Sequence, residues 1–187
     1  MKIGLGVTGS FCTFKNLLVA LGQIIDAGHQ VMPVFSYVVS AFDTRFFKAK
    51  DFEDEIIRLT GHTPIKTIVE AEPMGTVKGV DLMLVAPCTG NTLAKIAHGI
   101  TDTPVTMAVK ATLRNNKPVV LSVSSNDALG ANARNIGTLL NTRNLFFVPF
   151  GQDAPVKKPN SLIADTFLIL PTCMKAIEGK QITPLFL

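Results

Sequence analysis

The side chains of this sequence best suited to chemistry are small and hydroxyl-bearing, and they cluster directly after apolar runs. Thr8-Gly9-Ser10 follows Lys2–Val7, Ser36 and Ser40 follow Gln30–Phe35, and Thr89-Gly90-Asn91-Thr92 follows residues 80–86. Hydroxyls and backbone N–H groups at such places donate to phosphate oxygens, and a helix opening behind them adds free amides and its dipole. Ser10 alone fits a helix cap as well as a phosphate ligand. The serine cluster on the neighbouring loop turns the reading toward one mononucleotide phosphate. Further along, Asn126 and the pair Lys157-Lys158 could meet the carboxylates of a small anionic substrate. Acid–base and metal chemistry find less material. Cys12, Cys88 and Cys173 are too few and too far apart for a disulfide framework or a zinc site. His62 and His98 have no aligned partner and read as surface or helix residues. Catalytic residues stay unassigned, and no metal is expected.

Gly4-x-Gly6-x-x-Gly9 spells the dinucleotide fingerprint. Geometry argues against it, because only three residues precede Gly4 and a strand of about five or six must run through both Gly4 and Gly6. The turn is then Thr8-Gly9-Ser10. The second strand also ends in Phe35-Ser36-Tyr37, without the acid that binds a ribose. NAD(P) is therefore not expected on this chain.

These loops need a frame that brings them together. After Lys2–Val7, Phe14, Leu17, Leu18, Leu21, Ile24 and Ile25 recur at helical spacing, with Gly28 as the stop. Gln30–Phe35 returns as a strand in which Pro33 removes one ladder donor. A helix is expected over 51–59, a strand buried on both faces over 80–86, and a helix over 90–98. Asp102 is expected to cap a helix with Pro104 in its first turn. Then come a strand over 119–123, a helix over 127–140, a last strand over 145–148 and a loop over 151–160. Ser161 is expected to cap a final helix kinked at Pro171. Strands alternating with helices predict an α/β three-layer sandwich with a mainly parallel sheet, as a single domain over 1–187. Ligands of such sheets sit beyond the carboxyl ends of the strands.

Composition sets the class. Of 187 residues 47% are hydrophobic and 17% charged, against roughly 25% charged in an average domain. This excludes disorder and suggests that subunit contacts hide part of the surface. The net charge of +4 is scattered, tryptophan is absent and tyrosine occurs once. That is a poor footprint for nucleic acid. No apolar run approaches the roughly 18 residues that span a bilayer, and no leader is apparent, so a cytoplasmic location is expected.

The stretch Ala86-Pro87-Cys88-Thr89-Gly90-Asn91-Thr92, followed by Ala94-Lys95-Ile96-Ala97 and Gly99-Ile100-Thr101-Asp102, resembles the homo-oligomeric flavin-containing cysteine decarboxylases and their relatives. That family carries a proline-small-small-asparagine-threonine loop, then Ala-Lys-Ile-Ala, then Gly-x-x-Asp. The resemblance implies a Rossmann-like sandwich assembling as trimers or dodecamers, with FMN at subunit interfaces. By that resemblance Gly9, Ser10 and Ser36 would hold the phosphate, and Thr89, Asn91 and Thr92 would line the flavin. Phe11, Pro87 and Gly90 complete the expected cofactor set. The family's histidine before the buried strand would fall at Glu72-Pro73-Met74, and its late catalytic cysteine has no counterpart in 151–160. The pocket is thus retained while the decarboxylation groups are not.

Gly99-Ile100-Thr101-Asp102-Thr103, Ser124-Ser125-Asn126-Asp127 and Phe150-Gly151-Gln152-Asp153 extend the likeness over nearly the whole chain. They are similar to a branch of the superfamily that forms dipicolinate in the mother cell of sporulating bacteria. That branch works with a second subunit, itself similar to nicotinamide dehydrogenases, on which NAD(P) is expected. What this implies is an oxidoreductase subunit acting on a dihydrodipicolinate-type dicarboxylate. Two other readings stay open: a non-catalytic partner that completes the dehydrogenase, and a flavin-dependent decarboxylase.

Overall fold

The computed structural model of the chain describes residues 1–76 and 79–187. Its strands are β1 (Lys2–Val7), β2 (Gln30–Phe35), β3 (Leu82–Cys88), β4 (Val119–Ser125), β5 (Leu145–Phe147), β6 (Phe150–Gly151) and β7 (Leu162–Ala164). The helices are α1 (Phe14–Asp26), α2 (Tyr37–Ala41), α3 (Ala49–Thr60), α4 (Ile68–Ala71), α5 (Gly90–Ala97), α6 (Pro104–Arg114), α7 (Ala133–Leu140) and α8 (Ile169–Ile177). The parallel strands run in the order β2-β1-β3-β4-β5. Helices α1, α3 and α8 pack together on one side, and α4 to α7 on the other. The fold is a three-layer α/β sandwich around a seven-stranded, mostly parallel sheet.

β3 is buried along its whole length, and β4 over its first five residues, as strands covered by helices on both faces must be. Gly4 and Gly6 lie inside β1, paired with Met32 and Val34 on one side and with Met83 and Val85 on the other. A Cβ at Gly6 would stand 2.8 Å from Val105 Cγ1 and 2.9 Å from Met83 Cε. These glycines therefore let α6 and the Met83 side chain close onto the sheet, and the turn begins after them. On the other face Phe14 stacks on Phe52 with ring centroids 4.1 Å apart, and Phe35 follows at 5.6 Å. Such pairs contribute about 0.5–1.5 kcal/mol each beyond their burial. They seat α1 and α3 against β2.

Several boundaries depart from expectation for local reasons. Asp102 does not cap α6: Lys95 Nζ donates to both its oxygens at 2.8 Å. Thr103 is the cap instead, in a reciprocal box with Thr106. The helix expected over 127–140 begins only at Ala133, because Asp127 holds the preceding turn. The strand over 145–148 is not the last. β6 and β7 follow it, and β7 runs antiparallel to the end of β4, pairing Ser124 with Ile163 and Ser125 with Leu162. Ser161 thus precedes a strand rather than a helix. Pro171 is the third residue of α8, where its missing N–H has no helical partner to lose. Residues after Ile182 return to their own chain: Phe150 donates to the Leu185 carbonyl at 3.0 Å, and Leu187 donates to that of Phe150 at 3.1 Å. No helix among the described residues is long and apolar enough to cross a membrane.

Candidate functional site

β1 lies between β2 and β3, and the helices that follow β1 and β3 leave on opposite faces of the sheet. Their loops must diverge, and a crevice opens there at the carboxyl edge. Buried Thr8 ties its two walls together: its hydroxyl donates to the Pro87 carbonyl at 2.7 Å and accepts from the Thr89 N–H at 3.0 Å. Above this tie is a cleft of about 240 Å³. Gly9, Ser10 and Cys12 line it from the β1 loop, Thr89 and Gly90 from the β3 loop, and Ser124, Ser125 and Asn126 from the end of β4.

Ser10 makes no side-chain cap bond to the short 3₁₀ turn that follows it. Its hydroxyl instead shares a 2.7 Å hydrogen bond with that of Ser124, so the loops of β1 and β4 meet across the crevice. The cap of α5 is Thr89, whose hydroxyl accepts from the Thr92 N–H at 3.3 Å. Behind Gly90 lies a polar lattice. Asn132 Nδ2 donates to both Asp127 oxygens at 3.0 and 2.9 Å, Ser125 Oγ donates to Asp127 Oδ1 at 2.6 Å, and Asn135 Nδ2 donates to Asn132 Oδ1 at 2.9 Å. Asp127 therefore fixes the turn that presents Ser124 to Asn126.

The fourth wall is the excursion between β6 and β7, which contributes Asp153 and Lys158, with Ser161 to Ile163 beside them. Lys158 Nζ lies 3.0 Å from Asp153 Oδ2. The Ser161 hydroxyl and the Lys158 ammonium together hold Asp153 below the usual carboxylate range. Burial pushes the thiols of Cys88 and Cys173 up, that of Cys173 to about 12, which keeps both protonated and inert. Cys12 is exposed. Among the described residues no group of histidines, cysteines and acids could hold a metal ion.

Of the expected cofactor residues, Gly9, Ser10, Thr89 and Gly90 line the cleft, and of the expected substrate residues Asn126 and Lys158 do. The others lie outside its lining. Phe11 packs on Phe14, centroids 5.2 Å apart. Pro87 is buried and supplies the carbonyl that Thr8 uses. Thr92 supports the α5 cap, and Asn91 and Lys157 are exposed. Ser36 is buried at the end of β2 with its N–H on the Val7 carbonyl, and its hydroxyl has no partner among the described residues. His62 is half-buried after α3 and His98 is exposed at the end of α5. Asp153, Ser161 and Cys12 escape a reading by clusters, since each stands singly. The spacing of Asp153 from Lys158, across one loop, was the available signal.

A sequence model described as Flavoprotein matches residues 1–172. The B subunit of dipicolinate synthase from Bacillus subtilis (strain 168) is 45% identical over 184 residues, covering 98% of this chain and 92% of that protein. The crystal structure of the corresponding B subunit from Bacillus halodurans C superposes with a TM-score of 0.91 at 41% identity, covering 100% of this chain and 95% of that one. A dodecameric FMN-dependent UbiX-like decarboxylase from Escherichia coli O157:H7 shares the fold, with a TM-score of 0.64, 22% identity and 80% of each chain covered. With residues 1–172 matched by that sequence model and nearly the whole chain aligned to the Bacillus subtilis protein, the chain belongs to the flavoprotein family.

Proposed function

We propose that this chain is the B subunit of a dipicolinate synthase. It acts with a dehydrogenase-like A subunit, which carries NAD(P), to oxidise a dihydrodipicolinate-type precursor to dipicolinate, and it does so as an FMN-binding oxidoreductase subunit. The observation that carries this reading is the 45% identity to a protein of that name over 98% of the chain. The cleft agrees with it: one ammonium, one side-chain amide and several hydroxyls converge there, the donor set that a small dicarboxylate requires.

The residues at the crevice also suit a flavin phosphate. Ser36, at the end of β2 beside the cleft lining, is 7% exposed, and its buried hydroxyl has no partner among the described residues; leaving such a group unsatisfied costs about 1–3 kcal/mol. A Cβ at Gly9 would press to 3.0 Å on Val38 Cγ2, so the β1 loop runs close against the segment that follows β2. Gly9, Ser10 and Ser36 would hold the phosphate, and Thr89 and Gly90 would face the ring. Bound FMN supplies a two-electron acceptor. The chain's own part is to orient: Thr8 and Thr89 fix the floor, and Ser10 and Ser124 brace the walls. Further copies of the chain join this assembly, and the exposed Tyr37, Val38, Phe42 and Phe46 beside β2 offer the apolar surface for such contacts.

The purified chain should take up FMN with quenching of flavin fluorescence, and Ser36→Ala should weaken uptake about tenfold, the worth of one charge-assisted hydrogen bond. Mixed with the dehydrogenase-like partner and precursor, it should form dipicolinate. Failure of the chain to alter dipicolinate formation by that partner would overturn the reading. A second reading, a companion that completes the dehydrogenase without chemistry of its own, is favoured by the cleft lining, which among the described residues includes no histidine and only one carboxylate, already paired. Under it, dipicolinate forms at the same rate with and without FMN.

A further inference from the structure

Among the described side chains lining the cleft, Lys158 is the one ammonium and Asp153 the one carboxylate, and they pair at 3.0 Å. Both stand on an excursion that is stitched down. Gly151 pairs with Ile163 at its base, and Gln152 Nε2 donates to the Pro159 carbonyl at 2.8 Å. Lys158 is held through both of its backbone groups, its N–H donating to the Ala154 carbonyl at 2.7 Å and its carbonyl accepting from the Ser161 N–H at 3.0 Å. Its ammonium therefore projects from a fixed backbone. That ammonium carries three N–H donors, and Asp153 engages it from one side only. Close by, Asn126 Oδ1 lies 3.4 Å from the Ser161 hydroxyl, and the amide NH₂ of Asn126 is unengaged among the described residues. Lys157, the adjacent residue, is exposed as Lys158 is, but lines no part of the cleft.

We infer that Lys158 anchors a carboxylate of the ligand, taken in exchange for the Asp153 carboxylate, with the Asn126 amide as the second donor. The exchange swaps one carboxylate–ammonium pair for another, and because the side chains of Lys158 and Asp153 are 48% and 26% exposed, their own pairing is weak enough to be displaced by a better-placed carboxylate. A neutral ligand has nothing with which to displace Asp153. The internal acid is thus a selectivity device: it occupies Lys158 until a carboxylate with further contacts in the cleft outcompetes it. Asp153 and Lys158 are positioned by the same short loop, so the exchange needs only side-chain rotation.

The inference takes its substrate class from the proposed function, and two measurements separate their fates. In isothermal titration of the full chain with dipicolinate, Lys158→Gln should weaken binding about tenfold or more, and Lys158→Arg should restore most of it. Lys157→Gln should bind as wild type does, and Asp153→Asn should bind a few-fold tighter because the competitor is gone. The anchor is overturned if wild type does not bind dipicolinate, if Lys158→Gln binds as wild type does, or if Arg and Gln at 158 are equally weak. It is also overturned if Asp153→Asn weakens binding as much as Lys158→Gln. Dipicolinate formation with the dehydrogenase-like partner is then assayed separately. Lys158-dependent binding without any such formation sinks the function and leaves the anchor standing. Formation by Lys158→Gln at an unchanged KM does the reverse.

Discussion

Gly90 opens α5 at the point where the turn from β4 closes over it. A Cβ there would stand 2.6 Å from Asn132 Nδ2 and Ser125 Oγ, and 2.7 Å from Asp127 Oδ1. Three mutually bonded polar atoms cannot all retreat, so Gly90→Ala should cost about 1–3 kcal/mol and shift the turn bearing Ser124 and Asn126. Thermal unfolding together with flavin titration checks both effects, and an unchanged midpoint would show that the lattice is slack. Asp153 makes a prediction of a different kind. Its folded-state value lies below the ordinary one of about 3.9, so its pairing stabilises the chain above that value and is lost as pH falls through the folded one. Asp153→Asn should then be less stable than wild type near neutrality, with the gap closing in acid below about pH 4. A gap that persisted there would mean that the asparagine disturbs the loop by shape and not by charge.

The elements that carry these residues differ in how far the sequence announces them. Long apolar runs such as β3, and the helical spacing of α1, report burial on two faces or on one, and these are properties of neighbouring residues. The Thr8-Gly9-Ser10 turn is legible because a strand has a minimum length. The bond between Ser10 and Ser124 is not, since it joins loops 114 residues apart and follows only from the order of strands. β6 and β7 have two and three residues, too few for any periodicity, and their pairing is set by β4. The late start of α7 has the same kind of cause, because the carboxylate of Asp127 is committed to Asn132 and Ser125 and holds the chain in a turn. Hidden from a sequence reading too is the packing of α6 on the short 3₁₀ segment Glu72–Gly75: a Cβ at Gly75 would land on the backbone carbonyl of Ala111. Backbone cannot rotate aside, so Gly75→Ala should separate these elements at a cost near 3 kcal/mol, about the upper end for overpacking. Gly6→Ala, whose tight contacts are with side-chain ends, should cost less. Denaturant unfolding of the two variants side by side tests the ranking.

At the scale of the molecule the sheet is closed at its far side by its own carboxyl-terminal residues. Leu185 and Leu187 bracket Phe150 with backbone hydrogen bonds, and the Phe186 ring meets that of Phe150 edge-on at 5.4 Å. Removing residues 185–187 uncovers Phe150, which is 1% exposed, and forfeits about 2 kcal/mol of apolar burial. For a chain of this size that lowers the unfolding midpoint by about 4–8 °C, measurable by calorimetry, and no change would mean that the strand edge needs no cover. One consequence of the β6–β7 arrangement reaches further. The excursion that bears Asp153 and Lys158 hangs from the parallel sheet by a few backbone pairs at the tip of β4, and among the described residues no parallel strand is threaded through it. Such a segment is an exchangeable cassette on a constant chassis: lengthening it or recharging it would alter what the crevice accepts while the strands beneath keep their register.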